Sequence, residues 1–297
     1  MSQLSVKEKI LFLINPISGT RHKGHLPGMI KEWIDASLFD VEIVITKYKG
    51  EATEIVRQKL LDNYRYFVAV GGDGTVNEIA KELINSQGIM GIIPVGSGNG
   101  LARHLQIPLQ PIKAIQIINK LKYQAIDYGL INNNPFFCTC GVGFDALIGD
   151  KFAQCKSRGL INYVKTTIRE YFNYKPEMYQ ITIDDERTIK RQAFLITFAN
   201  GSQYGNNAYI APHADISDGK LDMCIISPFK LYKAPEIGIR LFAKSIHKSS
   251  LIHIEKASKI VLERANDGVV HFDGEPHRMG KTLNISLINK GLNIIVP

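Results

Sequence analysis

The sharpest chemical signal in the 297-residue chain is Gly71-Gly72-Asp73-Gly74-Thr75, set between the apolar run YFVAV and the helical stretch VNEIAKEL. Three glycines let a backbone approach a ligand closely and turn several N–H groups into one concavity. The helix that follows adds the positive end of its dipole, and both features favour phosphate oxygens. Asp73 adds a carboxylate able to hold Mg²⁺, directly or through water. The competing reading is a tight strand-to-helix turn whose glycines serve geometry alone, but such a turn has no need of an Asp between them. A second turn of this kind is Pro94-Val95-Gly96-Ser97-Gly98-Asn99-Gly100, with a hydroxyl and an amide between glycines; a third is Asn15-Pro16-Ile17-Ser18-Gly19. One such turn is a weak signal, whereas three at the ends of successive strands converge on one crevice. The patterns GxxxxGK(S/T) and GxGxxG are both absent, which leaves a Walker A loop and a nicotinamide-type fingerprint unsupported.

Two acidic clusters lie downstream. In His271-Phe272-Asp273-Gly274-Glu275-Pro276-His277, two carboxylates flank a glycine. Glu275 can accept a proton from a hydroxyl nucleophile if it faces a cleft; an acidic hairpin turn is the plain alternative. In PHADISDGKLD, residues 212–222, Asp215, Asp218 and Asp222 bracket a glycine turn of a kind that suits Mg²⁺ or Ca²⁺, without the EF-hand spacing. His22, His25, His271 and His277 show no metal-site pattern, and most of them are expected at the surface or in turns. Trp33, at helical spacing, is expected to be packed.

These turns need a frame to hold them. Through about residue 125, strand-like runs (KILFLIN, VEIVIT, YFVAV, 89–94) alternate with helical stretches (25–36, 51–62, 76–84, 101–104, 112–120), the signature of a parallel α/β sheet. After Asp127 short strand-like runs dominate, interrupted by helical stretches at 160–172 and 234–245. They predict a mostly antiparallel β-sandwich. The expected domains are 1–127 and 128–297.

Composition narrows the partners. With 45% hydrophobic and 22% charged residues, the chain is neither disordered, collagen-like nor a coiled coil. A net charge of +8 points to an anionic partner. Nucleic acid is disfavoured because no recognisable binding module is present. Cys138, Cys140, Cys155 and Cys224 form no CxxC pair, which fits a reducing cytoplasm. The opening apolar run is too short for a signal sequence, and no run approaches the roughly 18 residues of a membrane span. A membrane would therefore be met from its side, at the inner face. Residues 151–175 carry Lys151, Lys156, Arg158, Lys165, Arg169 and Lys175 against Glu170, interleaved with Phe152, Tyr163, Tyr171, Phe172 and Tyr174. Residues 230–248 carry Lys230, Lys233, Arg240, Lys244 and Lys248 against Glu236. Such helices suit an anionic bilayer, at about 1 kcal/mol per basic residue near the surface. The alternative is a solvated helix packed on the sandwich.

Taken together, NPISG (15–19), GGDGTVNE (71–78), PVGSGNGLARHL (94–105), DGKLD (218–222) and FDGE (272–275) resemble the diacylglycerol kinase catalytic-domain family, which includes bacterial diacylglycerol kinases, sphingosine kinases and ceramide kinases. The motifs occur in the family's order and span nearly the whole chain. GGDG alone also resembles NAD kinases and phosphofructokinases; its combination with the downstream DGE is specific. The resemblance implies a nucleotide-binding α/β domain and a β-sandwich domain, a last strand able to return to the first domain, and ATP between the two. It maps Asn15, Thr46, Gly71, Gly72, Asp73, Gly74, Thr75 and Ser97 onto nucleotide-contacting positions. Glu275 maps onto the proton acceptor and Asp73 onto the organiser of catalytic Mg²⁺. Asp127 maps onto the same water and metal network, and Asp215, Asp218 and Lys220 onto a structural Mg²⁺ site bound partly through backbone carbonyls. One departure stands out. Many bacterial diacylglycerol kinases carry GTxND in the second glycine turn, whereas Gly96-Ser97-Gly98-Asn99-Gly100 is closer to sphingosine kinases. The acceptor lipid is thus left open among diacylglycerol, sphingoid base, ceramide and other long-chain alcohols. The expected activity is transfer of the ATP γ-phosphate to a lipid hydroxyl at a membrane surface. The alternatives are an NAD kinase-like soluble phosphotransferase and a non-catalytic nucleotide- or lipid-binding protein. Oligomeric state is not legible, and a homo-oligomer is compatible with the sequence.

Overall fold

Strand β1 (Glu8–Ile14) shows why the first half of the chain folds as it does: Ile10 through Ile14 are all essentially without solvent contact. A strand buried on both faces belongs to a parallel sheet covered by helices. The computed structural model describes residues 7–19, 23–153 and 160–297. These fall into two compact units, one running to Ile126 and including Lys290–Pro297, the other comprising Asp127–Asn289.

In the first unit β1 is followed by α1 (Leu26–Trp33), β2 (Phe39–Ile45), α2 (Glu51–Leu61), β3 (Tyr66–Gly71), α3 (Asp73–Leu83), β4 (Ile89–Pro94), α4 (Gly100–His104) and α5 (Pro111–Ile118). The strands pair in parallel in the order β2-β1-β3-β4. Val76, Ile79, Ala80 and Leu83 recur at helical spacing on α3 and are buried. Burying a side chain such as Ile79 or Leu83 contributes roughly 1.5–3 kcal/mol. Trp33, expected to be packed, is 39% exposed at the end of α1; that end is held instead by the Asn119 amide, which donates to the Trp33 carbonyl at 2.9 Å.

Strand β5 (Tyr123–Ile131) leads into the second unit: β6 (Asn134–Phe136), β7 (Thr139–Gly143), α6 (Phe144–Ala153), α7 (Leu160–Asn173), β8 (Glu177–Ile183), β9 (Arg187–Ala193), β10 (Leu195–Ala199), β11 (Leu221–Ile226), α8 (Ala234–Phe242), β12 (Ile252–Ala257), β13 (Lys259–Arg264), β14 (Gly268–Phe272), β15 (Glu275–Met279) and β16 (Thr282–Ile295). One antiparallel sheet runs β12-β11-β10-β7-β14-β15; facing it, β16, β13, β8 and β9 pair in that order. Phe136, Val142, Ile196, Phe198, Tyr179, Leu262 and Ile285 form the core of this sandwich. Strands β10 and β11 are buried on both faces because Phe144, Phe194, Cys224, Ile226 and Ile237 build a second cluster beneath the helices. The far end of β16 pairs in parallel with β4, Asn293 opposite Ile89. The parallel α/β domain and antiparallel sandwich expected from the sequence are therefore both present. Among the described residues no helix is long and apolar enough to cross a membrane.

Candidate active site

At the carboxyl ends of β1, β3 and β4 the three glycine turns interlock, backbone against backbone. A Cβ on Gly96 would lie 2.3 Å from the Gly72 Cα, and one on Gly19, whose φ is +65°, would lie 2.4 Å from the Val95 carbonyl oxygen. Any side chain at these points would force the loops apart. Gly96→Ala is accordingly expected to destabilise the protein by about 1–3 kcal/mol, read as a lower melting temperature; an unchanged melt would show that the loops separate without cost.

Side chains of the mapped residues tie the same floor together. The Asn15 amide donates to the Thr75 hydroxyl at 3.1 Å, and a Cβ on Gly71 would lie 2.3 Å from that hydroxyl. The Thr46 hydroxyl donates to the Ile14 carbonyl at 3.3 Å, and the Asn15 N–H to the Val70 carbonyl at 3.1 Å. Asn15, Thr46, Gly71, Gly72, Asp73, Gly74 and Thr75 thus gather at one end of the parallel sheet, with Gly74 and Ser97 exposed and Thr46 and Thr75 buried.

Asp73, the first residue of α3, does more than face outward. Its Oδ2 accepts the Asn99 N–H at 2.8 Å and its Oδ1 the Gly100 N–H at 2.6 Å, which clamps the second glycine turn to the first. Gly98 makes room for it, since a Cβ there would lie 2.6 Å from Oδ2. Asn99 closes its own turn, donating to the Gly96 carbonyl at 2.8 Å and accepting the Gly96 N–H at 3.1 Å. A carboxylate offers about four lone-pair sites, so two backbone donors leave Asp73 acceptor capacity for a metal or its water. Sequence reasoning passed over Lys23, on the loop between Gly19 and α1. Its ammonium is buried without a hydrogen-bond partner among the described residues, and burial pushes its pKa down. Only its place beside a glycine turn could have flagged it.

In the second unit, FDGE forms a two-residue hairpin turn. Phe272 pairs with Glu275, and Asp273 and Gly274 have φ of 48° and 82°, the left-handed pair that a tight antiparallel hairpin favours. The hairpin-turn alternative is thus correct for the backbone. Asp273 is its anchor: the carboxylate accepts the N–H groups of Phe137, Cys138 and Thr139 at 2.8, 2.8 and 3.2 Å. Glu275, half-buried, opens β15. The expectation of surface or turn histidines fails at His271, which is 5% exposed and bonded to the Asp145 carboxylate at 3.0 Å.

Asp127 is fully buried; its Oδ2 accepts the Gly219 N–H at 2.8 Å, pinning the acidic turn, and its carbonyl accepts the Asn200 amide at 2.9 Å. Within that turn the Asp215 carboxylate takes the N–H and hydroxyl of Ser217, Asp218 takes the Lys220 N–H and the Lys256 ammonium, and the Lys220 ammonium donates to the Ser258 hydroxyl. The field of Asp218, Asp222 and Asp215 together raises the Lys256 pKa, an effect led by its bond to Asp218. Among the described residues no three acidic, histidine or cysteine side chains converge as metal ligands. The Lys256 ammonium thus stands against the Asp218 carboxylate of this turn.

A cavity of ≈310 Å³ opens beside the start of α6, lined by Gly143, Leu147, Tyr174, Tyr179, Arg264 and Val269 among others. This is the low end of small-molecule pocket volumes. Burial pushes both tyrosine hydroxyls up in pKa.

Two family models match the chain: the diacylglycerol kinase catalytic domain over residues 9–131 and the YegS C-terminal NAD kinase beta sandwich-like domain over residues 138–295. The chain belongs to the family these domains define, the diacylglycerol kinases and YegS-like lipid kinases. It is 26% identical over 295 residues to a diacylglycerol kinase of Bacillus subtilis (strain 168), covering 96% of this chain and 95% of the relative. It is also 26% identical over 262 residues to a probable lipid kinase YegS-like of Pseudomonas aeruginosa, covering 87% and 85%. A crystal structure of a candidate diacylglycerol kinase from Bacillus anthracis str. Sterne superposes with a TM-score of 0.78 at 27% identity, covering 98% of this chain and 97% of the other.

Proposed function

We propose that the protein is an ATP-dependent lipid kinase that transfers the γ-phosphate to a lipid hydroxyl. The observation that carries this reading is the interlocked glycine floor: three turns at strand ends, with no room for a Cβ at Gly96 or Gly19 and an acid at its centre. Backbone N–H groups at the start of α3 would cradle phosphates, with Asn15, Thr46, Thr75 and Ser97 around them and Lys23 adding positive charge. The spare acceptor capacity of Asp73 would hold Mg²⁺, which would supply neutralisation of charge in phosphoryl transfer. Glu275 takes the proton of the acceptor hydroxyl. The lipid oxygen forms a bond to the γ-phosphorus, the bond from that phosphorus to the bridging oxygen breaks, and ADP leaves. The nucleotide is assigned to the first unit and the proton acceptor to the second.

The acceptor is assigned to the lipids because the family and its named relatives are lipid kinases and because exposed apolar side chains of the second unit would suit a bilayer. Ile168 and Phe172 of α7, Ile239 and Phe242 of α8 and the nearby Tyr232 are exposed, while Tyr171 and Ile237 of the same two helices pack into one cluster. Lys230, Lys233, Arg240, Lys244 and Lys248 lie in the same stretch of chain as the second set, Lys233 and Arg240 paired with Glu236. Lys156 and Arg158 lie outside the described residues, as do the side chains of Phe152, Tyr163 and Lys165. Exposed apolar side chains interleaved with cations suit an anionic leaflet. In flotation assays the protein is expected to rise with vesicles containing phosphatidylglycerol and to stay behind with phosphatidylcholine alone; equal binding to both, or none, would remove this surface.

Incubation with labelled ATP and a panel of diacylglycerol, sphingoid base, ceramide, NAD and sugars tests the reading. Label is expected in a lipid product identified by mass spectrometry. Label in NAD or a sugar would make it a soluble phosphotransferase, and ATP binding without transfer would make it a binding protein.

A further inference from the structure

Asp145, in the first turn of α6, is the junction of a buried polar network within the second unit. Its Oδ2 accepts His271 Nε2 at 3.0 Å, the Tyr204 hydroxyl at 3.0 Å and the Thr197 hydroxyl at 3.2 Å; its Oδ1 accepts the Ala146 N–H at 2.8 Å. The two hydroxyls lie 2.5 Å from each other. Thr197 sits on β10 and His271 on β14, both buried. Removing a carboxylate from water is costly unless its lone pairs are met, and here three side chains from separate segments meet them. The neighbours of Thr197 and His271 on these strands, Ile196, Phe198 and Val270, pack into the sandwich core, on the other face of the sheet.

The backbone leaves space for this contact. Gly141 stands opposite His271 in the middle of β7, where a glycine weakens a strand. A Cβ there would lie 2.9 Å from His271 Nε2 and 3.3 Å from Asp145 Oδ2. His271 is on the hairpin that carries Glu275, four residues upstream, and α6 packs against both strands of that hairpin. The turn itself is pinned by Asp273. The network is the second hold, on the inner strand.

We propose that Asp145 and His271 are positioning residues for Glu275: their hydrogen bond sets the pitch of the β14–β15 hairpin and hence the direction of the Glu275 carboxylate. This rests on the reading of Glu275 as proton acceptor. The carboxylate of Asp145 is engaged on both oxygens by groups of its own unit, so it acts through His271 and not on substrate. A misplacement of about 1 Å in a reacting group can cost on the order of 10²-fold in rate.

The test measures kcat, KM for ATP and melting temperature for Asp145→Asn, His271→Leu, His271→Gln and Glu275→Gln, together with the His271→Leu/Glu275→Gln double variant, on the full chain. His271→Leu and Asp145→Asn are expected to lower kcat about 10- to 100-fold, with KM for ATP within about twofold. His271→Gln, which keeps an N–H donor, is expected to retain at least about a third of kcat. The double variant is expected to be no slower than Glu275→Gln alone, because a residue that acts only through Glu275 has nothing further to lose. Near-normal kcat in folded His271→Leu, or a loss that adds to that of Glu275→Gln, overturns the proposal. If Asp145→Asn does not fold, the His271 pair decides. Transfer by the wild type that Glu275→Gln leaves intact defeats the underlying reading instead, a result distinct from an active His271→Leu beside an inactive Glu275→Gln.

Discussion

Glu275→Gln is expected to lower kcat for phosphate transfer at least about 10²-fold, with KM for ATP and the melting temperature unchanged. Three observations set that pattern. Glu275 opens β15 half-buried, and the hairpin it belongs to is anchored by the neighbouring Asp273 through three backbone N–H groups. Glutamine keeps the shape and volume, so the turn has no reason to move. What is lost is the ability to accept a proton as the lipid oxygen attacks, worth roughly 2.7 kcal/mol or more at the transition state for a hundredfold effect. The nucleotide floor belongs to the other unit and is untouched. A hydroxyl lipid phosphorylated at a near-normal rate by Glu275→Gln would strip Glu275 of its role.

Asp73→Asn is expected to lower kcat at least about 10²-fold and, unlike Glu275→Gln, to lower stability as well. The carboxylate accepts N–H groups on both oxygens, from Asn99 and Gly100. An amide can face only one of them with its oxygen; the other meets an N–H donor. Leaving a part-buried donor unmet costs about 1–3 kcal/mol. The negative charge in the first turn of α3 also disappears, and with it a favourable interaction with the helix dipole. The second glycine turn loosens from the first, and the charge that would organise Mg²⁺ is gone. A stable Asp73→Asn with near-normal turnover would show that the floor works without this acid.

The contrast between these variants shows how far the sequence could be read. The parallel sheet was legible because a run such as KILFLI, apolar at every position, fits a strand covered on both faces, and the structure buries Ile10 through Ile14. The sandwich was legible from short alternating runs such as YQITID, which became β8. Helix α6 was not, because Phe144, Ala146 and Ile148 are buried among sheet and helices and leave no clean polar stripe. Nor was β9: RTIKRQA is mostly exposed and takes its order from pairing with β8 at the edge of the sheet. At the glycine turns the residue types announced phosphate chemistry, but not that the Asp73 oxygens hold a loop 26 and 27 residues further on. His271 misled because its partner, Asp145, is 126 residues away. The acidic turn at 215–222 reads as a cation site from its residue types, but its contact with the Lys256 ammonium, 38 residues from Asp218, was not legible.

Label transfer from γ-labelled ATP into the organic-extractable lipid fraction, with wild type and Glu275→Gln side by side at saturating ATP, bears most directly on the assignment of a lipid kinase. The expected result is a labelled monophosphate ester from the wild type and at most about a hundredth of that rate from the variant. Labelled water-soluble products alone, or equal lipid labelling by both proteins, would contradict it.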